Sequence, residues 1–274
     1  VALQRYFLEL AYDGTRYHGW QLQPNAIAVQ QKLNEALTIL LRHPVETTGA
    51  GRTDTGVHAR QLFVHIDVQA PQPPAEEAPQ PPEGGVEGAL QEGKGAMNEK
   101  PKLRLEALNA LLPHDIAVKQ IIPVHADAHA RFDATLRSYE YHLHFRKDPF
   151  KQNYSWQIKG TLDVTAMNEA ASILLEYTDF SCFSKSNTQV FTNNCKISRA
   201  EWVNHGDGLV FYISADRFLR NMVRAIVGTC LMVGRREIEL EQIRQIIESK
   251  NRSNAGTSVP ACGLYLTEVK YPYL

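Results

Sequence analysis

Lys196-Ile197-Ser198-Arg199-Ala200-Glu201-Trp202-Val203-Asn204-His205-Gly206-Asp207-Gly208-Leu209-Val210-Phe211-Tyr212-Ile213-Ser214-Ala215 is the stretch that decides the fold class. Two runs suited to extended backbone, 196–204 and 209–215, flank Gly206-Asp207-Gly208. Gly-Asp-Gly between such runs is a strong signal for an antiparallel hairpin.

Working outward, further strands are expected at 6–12, stopped by the Asp13-Gly14 turn, and at 116–123, 137–146 and 263–271. One more is expected where Phe63, His65 and Asp67 alternate with Val64, Ile66 and Val68. Helices are expected at 28–42, 103–112, 164–176, 217–233 and 240–249. The first repeats Val29, Leu33, Leu37, Leu40 and Leu41 at helical spacing and is followed by Pro44. Strands outnumber helices and several read as hairpin-linked. The expected class is therefore α+β with a mostly antiparallel sheet, not a doubly wound parallel one.

Residues 70–100 break the pattern. They are rich in Pro, Gly and Glu and nearly empty of aromatic and β-branched side chains, so a mobile acidic insertion is expected there. The whole chain has 274 residues, 29 Lys+Arg and 30 Asp+Glu, a net charge of −1. The insertion holds six glutamates against two lysines, −4, which leaves +3 on the remainder. A general nucleic-acid coating protein, whose pI is usually above about 9, is excluded by the total. A local basic cleft is not. The longest apolar stretch, 225–234, is half of the ~20 residues a membrane span needs. Cys182, Cys195, Cys230 and Cys262 show neither C-x-x-C nor zinc spacing, and the N-terminus carries no export pattern; reduced thiols in a cytoplasmic protein are expected.

The richest chemistry lies in Gly51-Arg52-Thr53-Asp54-Thr55-Gly56-Val57-His58-Ala59-Arg60. The glycines allow a sharp turn close to a ligand. A carboxylate among arginines stays ionised and can serve as nucleophile or base. A tight loop with a structural Asp–Arg pair is the plain alternative. In the expected helix after Asp216, Phe218, Met222, Ala225, Ile226 and Thr229 share one face, while Arg217, Arg220 and Arg224 form a stripe on the other. Such a stripe is either solvated or laid along a phosphate backbone, for which arginine has the matching fork. In Arg131-Phe132-Asp133-Ala134-Thr135-Leu136-Arg137-Ser138-Tyr139-Glu140-Tyr141, Tyr139 and Tyr141 share a strand face. They are either core aromatics or a stacking platform for a nucleobase, flanked by Arg131 and Arg137.

Taken together these residues carry a resemblance. Gly51-Arg52-Thr53-Asp54 running into Gly56-Val57-His58-Ala59 resembles the signature loop of the tRNA pseudouridine synthase A family. Tyr12-Asp13-Gly14 with Gly19-Trp20-Gln21-Gln23, Asn109-Ala110 before Leu112-Pro113 and Asp115-Ile116, and His129-Ala130-Arg131-Phe132 through Arg137-Ser138-Tyr139 follow in the family's order. So do Phe218-Leu219-Arg220-Asn221-Met222-Val223-Arg224 with Gly228, then Pro260-Ala261 and Gly263-Leu264-Tyr265-Leu266. The likeness spans nearly everything outside the acidic insertion, which is longer and more acidic than the family pattern.

The resemblance implies isomerisation of uridine to pseudouridine at positions 38, 39 and 40 of the tRNA anticodon stem-loop, with no metal and no cofactor. It implies two α/β halves, 1–128 and 129–274, sharing a mostly antiparallel sheet around a central catalytic cleft, in a homodimer. Asp54 is the implied catalytic residue. Arg52 is implied to pair with Asp54 and help displace the target base, Tyr139 to stack on the uracil, Arg224 to form a buried salt bridge to Asp54, and Leu264 to pack on the base from the other side. His58, Arg60, Arg131, Arg217 and Arg220 are the expected RNA contacts.

Three other readings compete. Asp54-Thr55-Gly56 is the triplet of aspartic proteases, although Arg52 disfavours a carboxylate pair that shares a proton. His125-Ala126-Asp127-Ala128-His129 places three side chains that could ligate a metal on one face if it is a strand, with no second ligand set; structural histidines are the simpler account. An RNA-binding module without catalysis is the third.

Overall fold

A computed structural model describes residues 3–69, 103–185 and 192–274; the expected acidic insertion lies outside the described residues. Nine strands form one sheet: β1 (Leu3–Tyr12), β2 (Thr48–Gly49), β3 (His58–Gln69), β4 (Ile116–Val124), β5 (Leu136–His144), β6 (Trp156–Gln157), β7 (Ile197–His205), β8 (Gly208–Ala215) and β9 (Leu264–Lys270). Their order is β4-β1-β3-β9-β5-β8-β7, with β2 on β3 and β6 on β5. The helices are α1 (Val29–Leu41), α2 (Leu105–Leu111), α3 (Val164–Ile173), α4 (Met222–Gly234) and α5 (Leu240–Glu248). The α+β class and the mostly antiparallel sheet are as expected. Parallel pairing occurs at β3–β9 and β5–β6.

The hairpin is where the sequence puts it, with β7 and β8 paired from Ile197↔Ala215 to His205↔Gly208. It is the one tight hairpin among the described residues. Short β2 pairs antiparallel with the next strand, β3, across the 50–57 loop, and the remaining antiparallel neighbours are distant in sequence: β1 pairs β3 and β4, and β5 pairs β8 and β9. Sequence spacing cannot announce such pairs.

Two cores flank the sheet's midline. One packs Leu8, Leu10, Leu62 and Val64 against Leu33 and Leu37 of α1 and Leu108 of α2. The other packs Tyr141, Phe211 and Ile213 against Met167 of α3, Ile226 and Leu231 of α4 and Ile243 of α5. The first core draws mainly on residues 7–128, joined by Ala130, Leu266, Val269 and Tyr271; the second draws mainly on 141–264, joined by Val57. β9 lies between β3 and β5, and its Val269 and the following Tyr271 are buried in the first core. The last strand thus lies between the strands that build the two cores.

α1 realises its predicted stripe, with Val29, Leu33, Leu37 and Leu41 buried, and ends where Arg42 turns left-handed (φ 59°). α5 starts at a reciprocal cap between Glu239 and Gln242. α4 corrects the expectation of a helix from 217. Asn221 has φ 67°, a left-handed conformation that no helix interior tolerates, so the helix begins at Met222. Phe218, Arg217 and Arg220 lie in the preceding turn, and the arginine stripe is not a helix face. Cys182, Cys195 and Cys230 are buried free thiols, pushed up to about 12 by burial, and Cys262 is a half-buried one. Among the described residues no helix is long and apolar enough to cross a membrane.

Candidate active site

The loop joining β2 to β3 carries Asp54, and backbone contacts fix its shape. Thr53 is buried, and its hydroxyl lies 2.8 Å from that of Tyr12. The Thr53 carbonyl accepts from Trp20 N (3.3 Å), Val57 N donates to the Asp54 carbonyl (3.1 Å), and Gly56 N donates to the Tyr17 carbonyl (3.2 Å). The 12–20 segment wraps this loop so closely that two glycines are obligatory. A Cβ on Gly14 would stand 2.0 Å from the Val57 oxygen, and one on Gly19, at φ 87°, 2.2 Å from the Thr53 oxygen. The Tyr12-Asp13-Gly14 and Gly19-Trp20 motifs are therefore the wall that shapes the Asp54 loop.

The opposite wall comes from the turn before α4 and from the first turn of α4 itself. The Asp54 carboxylate, 29% exposed, has Oδ2 3.7 Å from Arg224 Nη1 and Oδ1 3.9 Å from Arg220 Nε. Arg224 is held in place: its Nε donates to the Val259 carbonyl at 2.7 Å, and its carbonyl accepts from Val259 N. Arg220 is 61% exposed. Tyr139 on β5 meets Phe218 edge-on, centroids 5.1 Å apart. Burial is the main reason its hydroxyl is pushed up to about 12; Arg137 opposes the shift and the nearby Asp54 charge adds to it. The site thus joins one carboxylate, two guanidinium groups and an aromatic ring, all on different elements.

Of the expected residues, Asp54, Arg220, Arg224 and Tyr139 are brought together. Arg52 is exposed on the loop, but the cations in ion-pair range of Asp54 among the described residues are Arg220 and Arg224. Arg220, expected among the RNA contacts, also faces the carboxylate and stays largely exposed. Leu264 is buried at the start of β9, paired with Tyr141, the next residue on Tyr139's face. Arg131 is exposed and Arg217 half-exposed.

His58 and Arg60 lie elsewhere. His58 is 2% exposed; its Nδ1 accepts from Gly14 N and its Nε2 faces the Asn153 carbonyl at 2.9 Å, so it offers an RNA no surface. Burial lowers its pKa more than Asp13, 3.1 Å away, raises it. Arg60 pairs with Glu140 at 3.1 Å and lies 5.0 Å over the Tyr265 ring, on the sheet face opposite Tyr139.

Arg137 is a residue the sequence flagged only as a flank. Its Nη2 donates to the carbonyls of Ala50 (2.8 Å) and Arg131 (2.7 Å), its Nη1 to those of Asp216 (2.8 Å) and Ala134 (3.2 Å). One half-buried fork ties the Asp54 loop, the 131–134 turn and the 216 turn together. Its neighbours in sequence reveal none of these partners.

The competing readings find little support. A proton-sharing pair needs a second carboxylate at Asp54, where two guanidinium groups stand instead. The 125–129 segment is not a strand: His125 meets Tyr273, whereas His129 packs on His65 and Phe132. Among the described residues no three His, Cys, Asp or Glu side chains are grouped to hold a metal.

A family model described as tRNA pseudouridine synthase matches residues 170–272, the part that contributes Arg220, Arg224 and Leu264. Proteins named tRNA pseudouridine synthase A extend the likeness through the Asp54 loop. That of Parabacteroides distasonis is 48% identical, covering 98% of this chain and 97% of its own. Those of Bacteroides fragilis (47%; 99% and 98%) and Porphyromonas gingivalis (47%; 98% and 98%) are similar. The chain belongs to the tRNA pseudouridine synthase A family, a family of isomerases that convert uridine to pseudouridine.

Proposed function

We propose that this chain isomerises uridine to pseudouridine at positions 38, 39 and 40 of the tRNA anticodon stem-loop, with Asp54 as the reacting carboxylate. The observation that carries the reading is the Asp54 carboxylate at the cleft, held by its loop between Arg220 and Arg224 beside Tyr139. The reaction breaks the C1′–N1 bond, turns the uracil and forms C1′–C5. N1 gains a proton and C5 loses one, so no atom is added and no electron leaves. The carboxylate acts at the sugar as nucleophile or as base.

The target uridine leaves its stack, a cost of a few kcal/mol that binding must offset. Tyr139 provides the face for the freed uracil, Leu264 closes the apolar side of the pocket, and exposed Arg52 displaces the base at the rim. Arg131, Arg217 and Arg220 take phosphates around the opening. The family resemblance supports a homodimer, and a tRNA substrate puts the work in the cytoplasm.

The test is Asp54→Asn, assayed on anticodon stem-loop transcripts with single uridines at each position. The variant is expected to bind the transcript with near-normal affinity and form no pseudouridine. Wild-type turnover by this variant would remove Asp54 from the chemistry.

A further inference from the structure

Phe132 is 73% exposed. One exposed apolar side chain is ordinary in a folded protein. This one is unusual in how firmly it is held. His129 Nδ1 accepts from the backbone N–H of both Arg131 (3.1 Å) and Phe132 (3.3 Å). Asp133 returns the tie: its Oδ2 accepts from His129 N at 2.7 Å and from the Tyr273 hydroxyl at 2.9 Å, and its N–H donates to the His129 carbonyl at 3.1 Å. The His129 ring lies against Phe132, centroids 4.3 Å apart, and is itself backed edge-on by buried His65 at 4.7 Å. The phenyl ring therefore has a supported side and a large area open to solvent.

Its position is also defined. Arg137 Nη2 bonds both the Arg131 and the Ala50 carbonyls, so Phe132 adjoins the residue pinned to the start of the Asp54 loop. Arg131 places its guanidinium carbon 5.7 Å from the Phe132 centroid, and exposed Arg52 and Arg220 lie on the neighbouring segments. A rigid aromatic face beside several cations suits a nucleobase on a phosphate backbone, since every base presents a π-face to stack on.

We propose that Phe132 is a second stacking residue, which receives an unpaired nucleobase of the substrate RNA next to the uridine taken into the Asp54 pocket. Removing a uridine from a stem exposes the faces of its neighbours. A fixed ring at that point replaces the lost stacking and lowers the cost of extrusion. The inference rests on Asp54 being the reacting residue, and it assigns a role that the reaction chemistry does not require.

The experiment uses the full chain and an anticodon stem-loop RNA carrying a fluorescent aminopurine beside the target uridine. In the Asp54→Asn background, which holds RNA without turnover, binding is expected to quench the probe; adding Phe132→Ala is expected to abolish the quench. In the otherwise unaltered chain, Phe132→Ala is expected to lower kcat/KM about 10-fold. Phe132→Trp should restore it and Phe132→Leu should not, with thermal midpoints unchanged because the side chain is exposed.

Quenching and turnover in Phe132→Ala within about twofold of the unaltered chain would overturn the proposal. So would rescue by leucine, or loss of activity together with a change in oligomeric mass; those results mark a protein-facing apolar contact instead. If the unaltered chain forms no pseudouridine, or Asp54→Asn turns over, the functional reading fails first. If those controls behave and only the Phe132 results fail, the loss is confined to this inference.

Discussion

The two walls of the Asp54 cleft are built on different principles. On the first-half side, the loop is gripped by backbone: Gly14 and Gly19 lie against the Val57 and Thr53 carbonyls, and Trp20 and Tyr17 close hydrogen bonds around it. On the second-half side, the contacts to Asp54 are long side chains reaching across at 3.7 and 3.9 Å, outside hydrogen-bond range. The first wall fixes where the carboxylate sits. The second sets the charge around it, with Arg224 anchored to Val259 and only the exposed Arg220 having room to adjust. A site so divided keeps its carboxylate and one cation pre-organised and leaves the second cation, Arg220, free to tighten on a bound state.

The contrast is broken most severely at Gly19. Gly19→Ala puts a methyl group about 2.2 Å from the Thr53 oxygen at a backbone conformation that alanine resists. Overpacking against rigid backbone is expected to cost about 3 kcal/mol, lower the thermal midpoint and abolish turnover. Calorimetry and a pseudouridine assay on the same preparation check this. An alanine variant with normal stability and turnover would show that the loop is not held as described.

The second wall should respond more mildly and in a graded way. Arg224→Gln removes a cation fixed to the Val259 carbonyl, and kcat should fall about 100-fold with the thermal midpoint within a few degrees of normal. Arg220→Gln removes an exposed cation, and kcat should fall about 10-fold. Steady-state kinetics on one stem-loop substrate separate the two. The reverse order would mean that Arg220, not the anchored Arg224, governs the carboxylate.

The smallest expected effect concerns how the 129–133 turn is held on the sheet. His65 Nδ1 accepts from Ala130 N, and burial, with Arg5 and His129 adding, pushes its pKa down to about 4. The native state therefore keeps His65 neutral where the unfolded chain, near 6.5, takes up a proton. Its contribution to stability is complete above about pH 6.5 and is lost as the pH falls toward 4. Thermal midpoints measured across that window should fall less steeply in His65→Asn than in the unaltered chain. Parallel slopes would remove His65 from the acid response.

Element by element, the strands and helices were legible wherever local pattern is enough. The 196–215 hairpin, the α1 stripe and the closing strand all match their sequence signals, because turn chemistry and hydrophobic period act over a few residues. The start of α4 was not legible. Apolar spacing continues through Phe218, and nothing in Asn221 by itself announces a left-handed conformation. The carboxylate and its loop could be picked from Gly51–Arg60, but His58 could not be told from a surface cation, since burial depends on the loop that packs over it.

By itself, the sequence determined the class of the sheet and the family to which the chain belongs, and it singled out Asp54 as the candidate acid. Each rests on residue types in fixed local order. Tertiary structure alone decided that Arg220 joins the expected Arg224 in facing Asp54 while Arg52 stays outside ion-pair range, that Arg60 turns to the other side of the sheet, and that Arg137 binds three segments at once. Those facts follow from β9 crossing between the halves and from strands that pair across more than a hundred residues. Contacts of that range are set by the packing of two cores against one sheet, which no local window of sequence contains.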